Sequence, residues 1–72
     1  MKELVATIKY EEYLPSGEIL IGSTVYSQDW NAILPALGFS REEFTFNYER
    51  NGYLDEHEDC VETNNTLYIY KK

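Results

Sequence analysis

Apolar and polar residues alternate with a period of two in separate stretches of this chain, and that period constrains the fold more than any other feature. In 4–10, Leu4, Ala6, Ile8 and Tyr10 point one way, and Val5, Thr7 and Lys9 the other. In 44–50, Phe44, Phe46 and Tyr48 oppose Thr45, Asn47 and Glu49. Near the end, Leu67 and Ile69 oppose Tyr68 and Tyr70 within 66–70. Successive side chains of a strand fall on opposite faces, so these are strands with one apolar side. A further strand is expected over 18–26, with Ile19, Ile21, Ser23 and Val25 on one face and Leu20, Gly22, Thr24 and Tyr26 on the other.

The segments between the strands carry turn and helix signals. Leu14-Pro15-Ser16-Gly17 has Pro second and Gly fourth, as a type I turn prefers. It joins the first two strands into an antiparallel hairpin. Ser27 reads as a helix N-cap, with Asp29 in the first turn. Trp30, Ile33, Leu34 and Leu37 then follow helical spacing. Pro35 conflicts with a long helix, because it lacks an N–H and clashes with the carbonyl of Asn31. Gly38 suits the residue just past the end. A short helix over about 28–37 is expected, packed through Trp30 onto the sheet.

Phe39-Ser40-Arg41-Glu42-Glu43-Phe44 combines a capping box, Ser40 with Glu43, and a hydrophobic staple, Phe39 with Phe44. The alternation that follows outweighs the cap, so one helical turn at 41–43 should feed a strand at 44–50. Asn51-Gly52 signals a type I′ hairpin turn. The acidic segment beyond it has poor strand propensity and is expected to pair for a few residues at most before it leaves the sheet as a loop. Asn64-Asn65 reads as a second turn before the last strand, which is taken as an edge. The sum is an α+β fold: a small antiparallel sheet with one short helix packed on one face, ββαββ with an optional fifth short strand.

A chain of 72 residues forms one domain at most, 1–72, with a small core. Cys60 is its only cysteine, which excludes an internal disulfide and fits a reducing compartment. It reads as a small half-buried hydrophobe. The apolar run near the N-terminus is too short for a secretory signal, and nothing reaches the length of a membrane span. A cytoplasmic protein is expected.

The charge is lopsided. Thirteen acids face 6 Lys and Arg, a net charge of -7, which is unsuited to gripping phosphates and suited to attracting a basic surface. The acids concentrate in Asp55-Glu56-His57-Glu58-Asp59-Cys60-Val61-Glu62, and no Lys or Arg lies between Arg50 and Lys71. This run fails as a calcium loop, since His57 stands at the third position and Thr66 at the twelfth. One His and one Cys without a paired motif make a weak transition-metal site, so no metal and no cofactor are expected. No serine is placed against His57, and adjacent carboxylates of a strand point to opposite faces, so no enzyme is expected.

The function expected from these features is a small acidic protein-binding module. It would act as an inhibitor or decoy on the basic nucleic-acid-binding surface of a host protein, a DNA mimic of the kind phages and mobile elements carry. The contact residues expected are Asp55, Glu56, Glu58, Asp59 and Glu62, with Glu42, Glu43 and Tyr53 at the margin. Direct nucleic-acid or membrane binding is not expected. The alternative is a structural or regulatory subunit, a homodimer formed through a Tyr-rich sheet face, whose acidity serves solubility.

Overall fold

A computed structural model describes residues 2–27 and 29–72. Five strands and one helix follow in the order β1 (Glu3–Leu14), β2 (Glu18–Ile21), β3 (Thr24–Tyr26), α1 (Trp30–Ala36), β4 (Phe44–His57) and β5 (Cys60–Lys71). All pairings are antiparallel, and the sheet order is β3-β2-β1-β5-β4. The fold class expected from the sequence is present in outline, a small antiparallel sheet with one short helix. Its order differs from ββαββ, because three strands precede the helix.

That third strand arises at Gly22. The expected single strand 18–26 folds back there, because Gly22 has φ 63 and Ser23 does not share the positive sign. Gly at the first central position is the signature of a type II′ hairpin turn. The fold-back returns Tyr26 opposite Ile19 and Thr24 opposite Ile21. Val25 therefore leaves the face expected for it and is 58% exposed. Leu4 moves in the same way. The β1–β5 register shifts between Leu4 and Ala6, so the extra residue turns Leu4 away from Ile8 and leaves it 50% exposed. The turn between β1 and β2 is also wider than the type I turn expected. Gly17 donates to the carbonyl of Tyr13, not Leu14, and the Leu14–Pro15 peptide is cis.

The largest departure lies in the second half. Asn51-Gly52 does not turn the chain. The ladder shifts register between Arg50 and Gly52, and again between Tyr53 and Asp55, and β4 runs on to His57. The hairpin turn is Glu58-Asp59, closed by the His57–Cys60 pair. Asn64 and Asn65 lie inside β5, opposite Glu11 and Tyr10. β5 is thus a central strand, hydrogen-bonded along its length by β1 on one side and β4 on the other. β1 holds Val61 and Glu62 of β5 in the sheet, β5 in turn offers Asp55–His57 a backbone ladder on one side, and this pairing outweighs the weak strand propensity of the segment. Asn65 is 2% exposed, and its amide donates to the carbonyl and hydroxyl of Thr63, which satisfies a polar group in mid-sheet.

The helix is shorter than expected. Its N-cap is Asp29, whose carboxylate accepts from the Asn31 N–H at 2.9 Å; Ser27 does not cap it, and the expected first residue, 28, lies outside the described residues. Pro35 lies within the last turn, and Leu37 is the C-cap. Gly38, at φ 91, permits a Schellman ending: Phe39 donates to the carbonyl of Leu34, and Gly38 to that of Pro35. One turn at 41–43 follows, held by backbone bonds from Glu43 and Phe44 to the Ser40 carbonyl. The staple is formed, with the Phe39 and Phe44 rings edge to face at 5.1 Å.

The core lies between the helix and one face of the sheet. Ile33 and Leu34 of α1 bury themselves with Ile19, Tyr10, Leu67 and Ile69. Trp30, Leu37, Ala6, Ile8, Ile21, Phe44 and Phe46 pack around them, half-buried. The helix packs on the sheet through Ile33 and Leu34 as well as the expected Trp30, and Leu4, expected on the apolar stripe with Ile8, is not part of this core. The molecule measures 42 × 22 × 18 Å. No helix among the described residues is long and apolar enough to cross a membrane.

Candidate functional site

One end of the long sheet is acidic on both faces. The register brings the last residues of β1, the start of β2, the end of β4 and the start of β5 together there. On the face away from the helix, Tyr13 is flanked by Glu18 on β2 and Glu62 on β5, and Glu62 is opposed in turn by Asp55 on β4. Neighbouring strands lie about 4.8 Å apart, so these side chains form one lateral row. Glu11 stands one step along the same face of β1. Glu12 and Glu56 occupy the helix side, and Glu58 and Asp59 form the hairpin turn. No Lys or Arg occurs in 10–23 or 51–64, the segments that build this end.

Several contacts tie the carboxylates to the frame. The Tyr13 hydroxyl lies between Glu62 and Glu11, and donates to Glu11 at 3.4 Å. Those two carboxylates, Glu62 most strongly, push its pKa up to about 12. Asp55 accepts from the Glu56 N–H at 2.8 Å, and its other oxygen lies 2.9 Å from the His57 ring. Both partners of that pair are exposed, so it contributes little stability. The Asp55–Glu62 opposition is unfavourable, because like charges directly across an antiparallel pair destabilise a sheet.

Of the residues singled out from the sequence, Asp55, Glu56, Glu58, Asp59 and Glu62 are gathered at this end, on strands and a tight turn where a loop was expected. Tyr53 joins them on the helix side, 70% exposed. Glu42 and Glu43 do not. They precede Phe44, which pairs with Lys71 at the far end of β4, so they cannot border the same surface. There they share a shallow depression with Lys71 and Lys72. Glu11, Glu12 and Glu18 belong to the acidic end and were missed, because only strand register shows that residues 11–18 lie beside 55–62. Among the described residues, no group of three or more His, Cys, Asp or Glu side chains is placed to hold a metal.

The face away from the helix continues with Tyr68 and Tyr70, half-buried. The Tyr68 hydroxyl donates to Glu49 at 3.2 Å, and partial burial together with that carboxylate raises its pKa. On the helix side lies an open cleft of about 520 Å3 between Trp30 and the edge strand β4. Tyr10 and Asn65 lie beneath it, and Trp30, Tyr48, Arg41 and Arg50 surround it. The sequence did signal part of this cleft, since Arg50 continues the stripe of Phe44, Phe46 and Tyr48. No family model, curated protein or solved structure matches this chain.

Proposed function

We propose that this chain is a protein-binding module whose acidic end docks on the basic, nucleic-acid-binding surface of another protein and competes there with nucleic acid. The observation that carries the reading is the convergence of Glu11, Glu18, Asp55 and Glu62 on one sheet surface, with Glu58 and Asp59 at its tip and no cation among them. A rigid sheet holds carboxylates at fixed spacing with less ordering cost than a flexible loop, which favours recognition of a patterned basic surface. The like-charged pair Asp55–Glu62 supports the same reading, because a partner's Lys or Arg between them would relieve the repulsion.

The test is association with a basic nucleic-acid-binding protein captured from cells at low salt. Reversing Asp55 and Glu62 to Lys should slow association and flatten its salt dependence, since charges of this kind chiefly set the on-rate. Unchanged capture by a variant neutralised at Asp55, Glu56, Glu58, Asp59 and Glu62 would reduce the acidic end to a solubility feature. Self-association through the Tyr-rich face is the second reading, favoured by Tyr68 and Tyr70 on the uncovered face and by Leu4 exposed beside them. A salt-insensitive dimer in sedimentation equilibrium would select it.

A further inference from the structure

Both arginines of this chain line one cleft, and neither is neutralised there. Arg41 comes from the turn after α1 and Arg50 from β4. The one acid–base contact at ion-pair distance among the described residues is Asp55 with His57, so in a chain with 13 acids neither guanidinium has a carboxylate partner. Arg41 donates through Nε to the Asn31 side chain at 3.0 Å and lies 5.6 Å from the Phe46 ring centroid. Arg50 has no hydrogen bond or ion pair from its guanidinium among the described residues. An uncommitted guanidinium beside a cleft, that of Arg50, is suited to bidentate capture of a planar anionic group.

The rest of the cleft supplies a ring surface and a polar floor. Trp30 stands edge-on to Tyr10 at 5.0 Å and tilted on Tyr48 at 5.4 Å, which fixes the indole. Tyr48 is 45% exposed, so its ring is open to a second aromatic group. Tyr10 as a whole is 6% exposed; its hydroxyl makes no hydrogen bond among the described residues and is reached by solvent. That hydroxyl feels the charges of Glu12 and Arg50, both of which line the cleft. A phenol hydroxyl on the floor of an open cleft, free of protein partners, can donate to an acceptor bound there.

Charge then selects the ligand class. A molecule of net charge -7 repels a simple anion, whereas the cleft itself presents both signs, Arg41 and Arg50 beside Glu12. We propose that the cleft binds a small zwitterion with a planar ring, the chemistry of a free aromatic amino acid. The ring lies on Trp30 and Tyr48, the carboxylate meets Arg50 with Arg41 at the rim, and the ammonium faces Glu12. The volume of about 520 Å3 falls in the range of small-molecule sites.

Trp30 is the only tryptophan, so its fluorescence reports the cleft directly. Phenylalanine, which does not mask that signal, should change it saturably. Phenethylamine, which lacks the carboxylate, and 3-phenylpropionate, which lacks the ammonium, should each bind at least tenfold more weakly. Arg50→Gln should weaken phenylalanine tenfold or more while leaving circular dichroism unchanged, and Glu12→Gln should erase the preference over 3-phenylpropionate. Absence of a saturable change with phenylalanine overturns the proposal, as does equal or tighter binding of either analogue. Reversal of Asp55 and Glu62 should leave phenylalanine binding intact, so this result stands or falls apart from docking at the acidic end.

Discussion

Leu34 and Leu67 are shut off from solvent completely, while Trp30, the largest side chain at the same interface, is half-buried. Burial decides the cost of truncation more than size does. Leu34→Ala or Leu67→Ala should each destabilise the fold by about 2–5 kcal/mol. A domain of this length has a total stability on the order of 4–11 kcal/mol. Trp30→Ala should cost less than either leucine change, and urea denaturation of the three variants in parallel checks the order. The tyrosines give a second test at this scale. Burial first, then Glu12, pushes the Tyr10 pKa up to about 12, and the carboxylates of Glu62 and Glu11 do the same for Tyr13. An unfolded tyrosine ionises near pH ~10. Below that value both states hold the phenol proton, and the stability from these contacts is fully present. As pH rises from about 10 to about 12, the unfolded chain loses its protons first, so stability must fall. Denaturation midpoints measured across that window should drop, and Tyr10→Phe with Tyr13→Phe should flatten the drop. An equally steep fall in the double variant would assign it to other groups.

At the scale of elements, the helix stop and the β4–β5 ladder each yield a test. Gly38 holds a left-handed conformation that an L side chain reaches only with strain, so Gly38→Ala should cost about 1 kcal/mol although nothing lies near its added methyl. Asp55→Lys should act in the opposite sense. It replaces a like-charged cross-strand pair with an attractive one and should raise stability by about 0.2–1 kcal/mol. A destabilised Asp55→Lys protein would mean that the contacts of Asp55 with the Glu56 N–H and His57 outweigh its opposition with Glu62. Legibility in the sequence follows from range. Period-two stripes at 6–10, 44–48 and 67–70, the staple of Phe39 on Phe44, and Gly38 at the helix end were readable because each depends on neighbours a few residues away. The β4–β5 hairpin was not, because Asn51-Gly52 carries the stronger local turn signal. It is overruled by a β1 long enough to pair Leu14 with Val61, far away in sequence. The acidic residues were readable as a cluster. That Glu11 and Glu18 complete it depends on the same distant pairing.

For the molecule as a whole, charge is distributed along the long axis. One end is acidic without relief, and the other mixes Glu3, Glu42 and Glu43 with Lys71 and Lys72. Repulsion within the acidic end reaches about 10 Å at 0.1 M salt and shortens as salt rises. The thermal midpoint should therefore increase between about 0.01 and 0.2 M sodium chloride. The rise should shrink in the protein with Asp55 and Glu62 reversed to Lys, and calorimetry of the two proteins side by side makes the comparison. The long edge strand β4 carries Glu49, Arg50, Asp55 and Glu56 and two register shifts, features that discourage strands of other copies from pairing there. β5 has a different consequence. It lies between β1 and β4, so β1 has only the short strand β2 beside it until Cys60–Lys71 emerges from the ribosome. Until then Ile8, Phe44 and Phe46 lack the Leu67 and Ile69 side chains that flank them in the folded sheet. The chain must join β1 to residues 47 to 68 positions away, a high contact order that places folding among the slower small domains, in milliseconds to seconds.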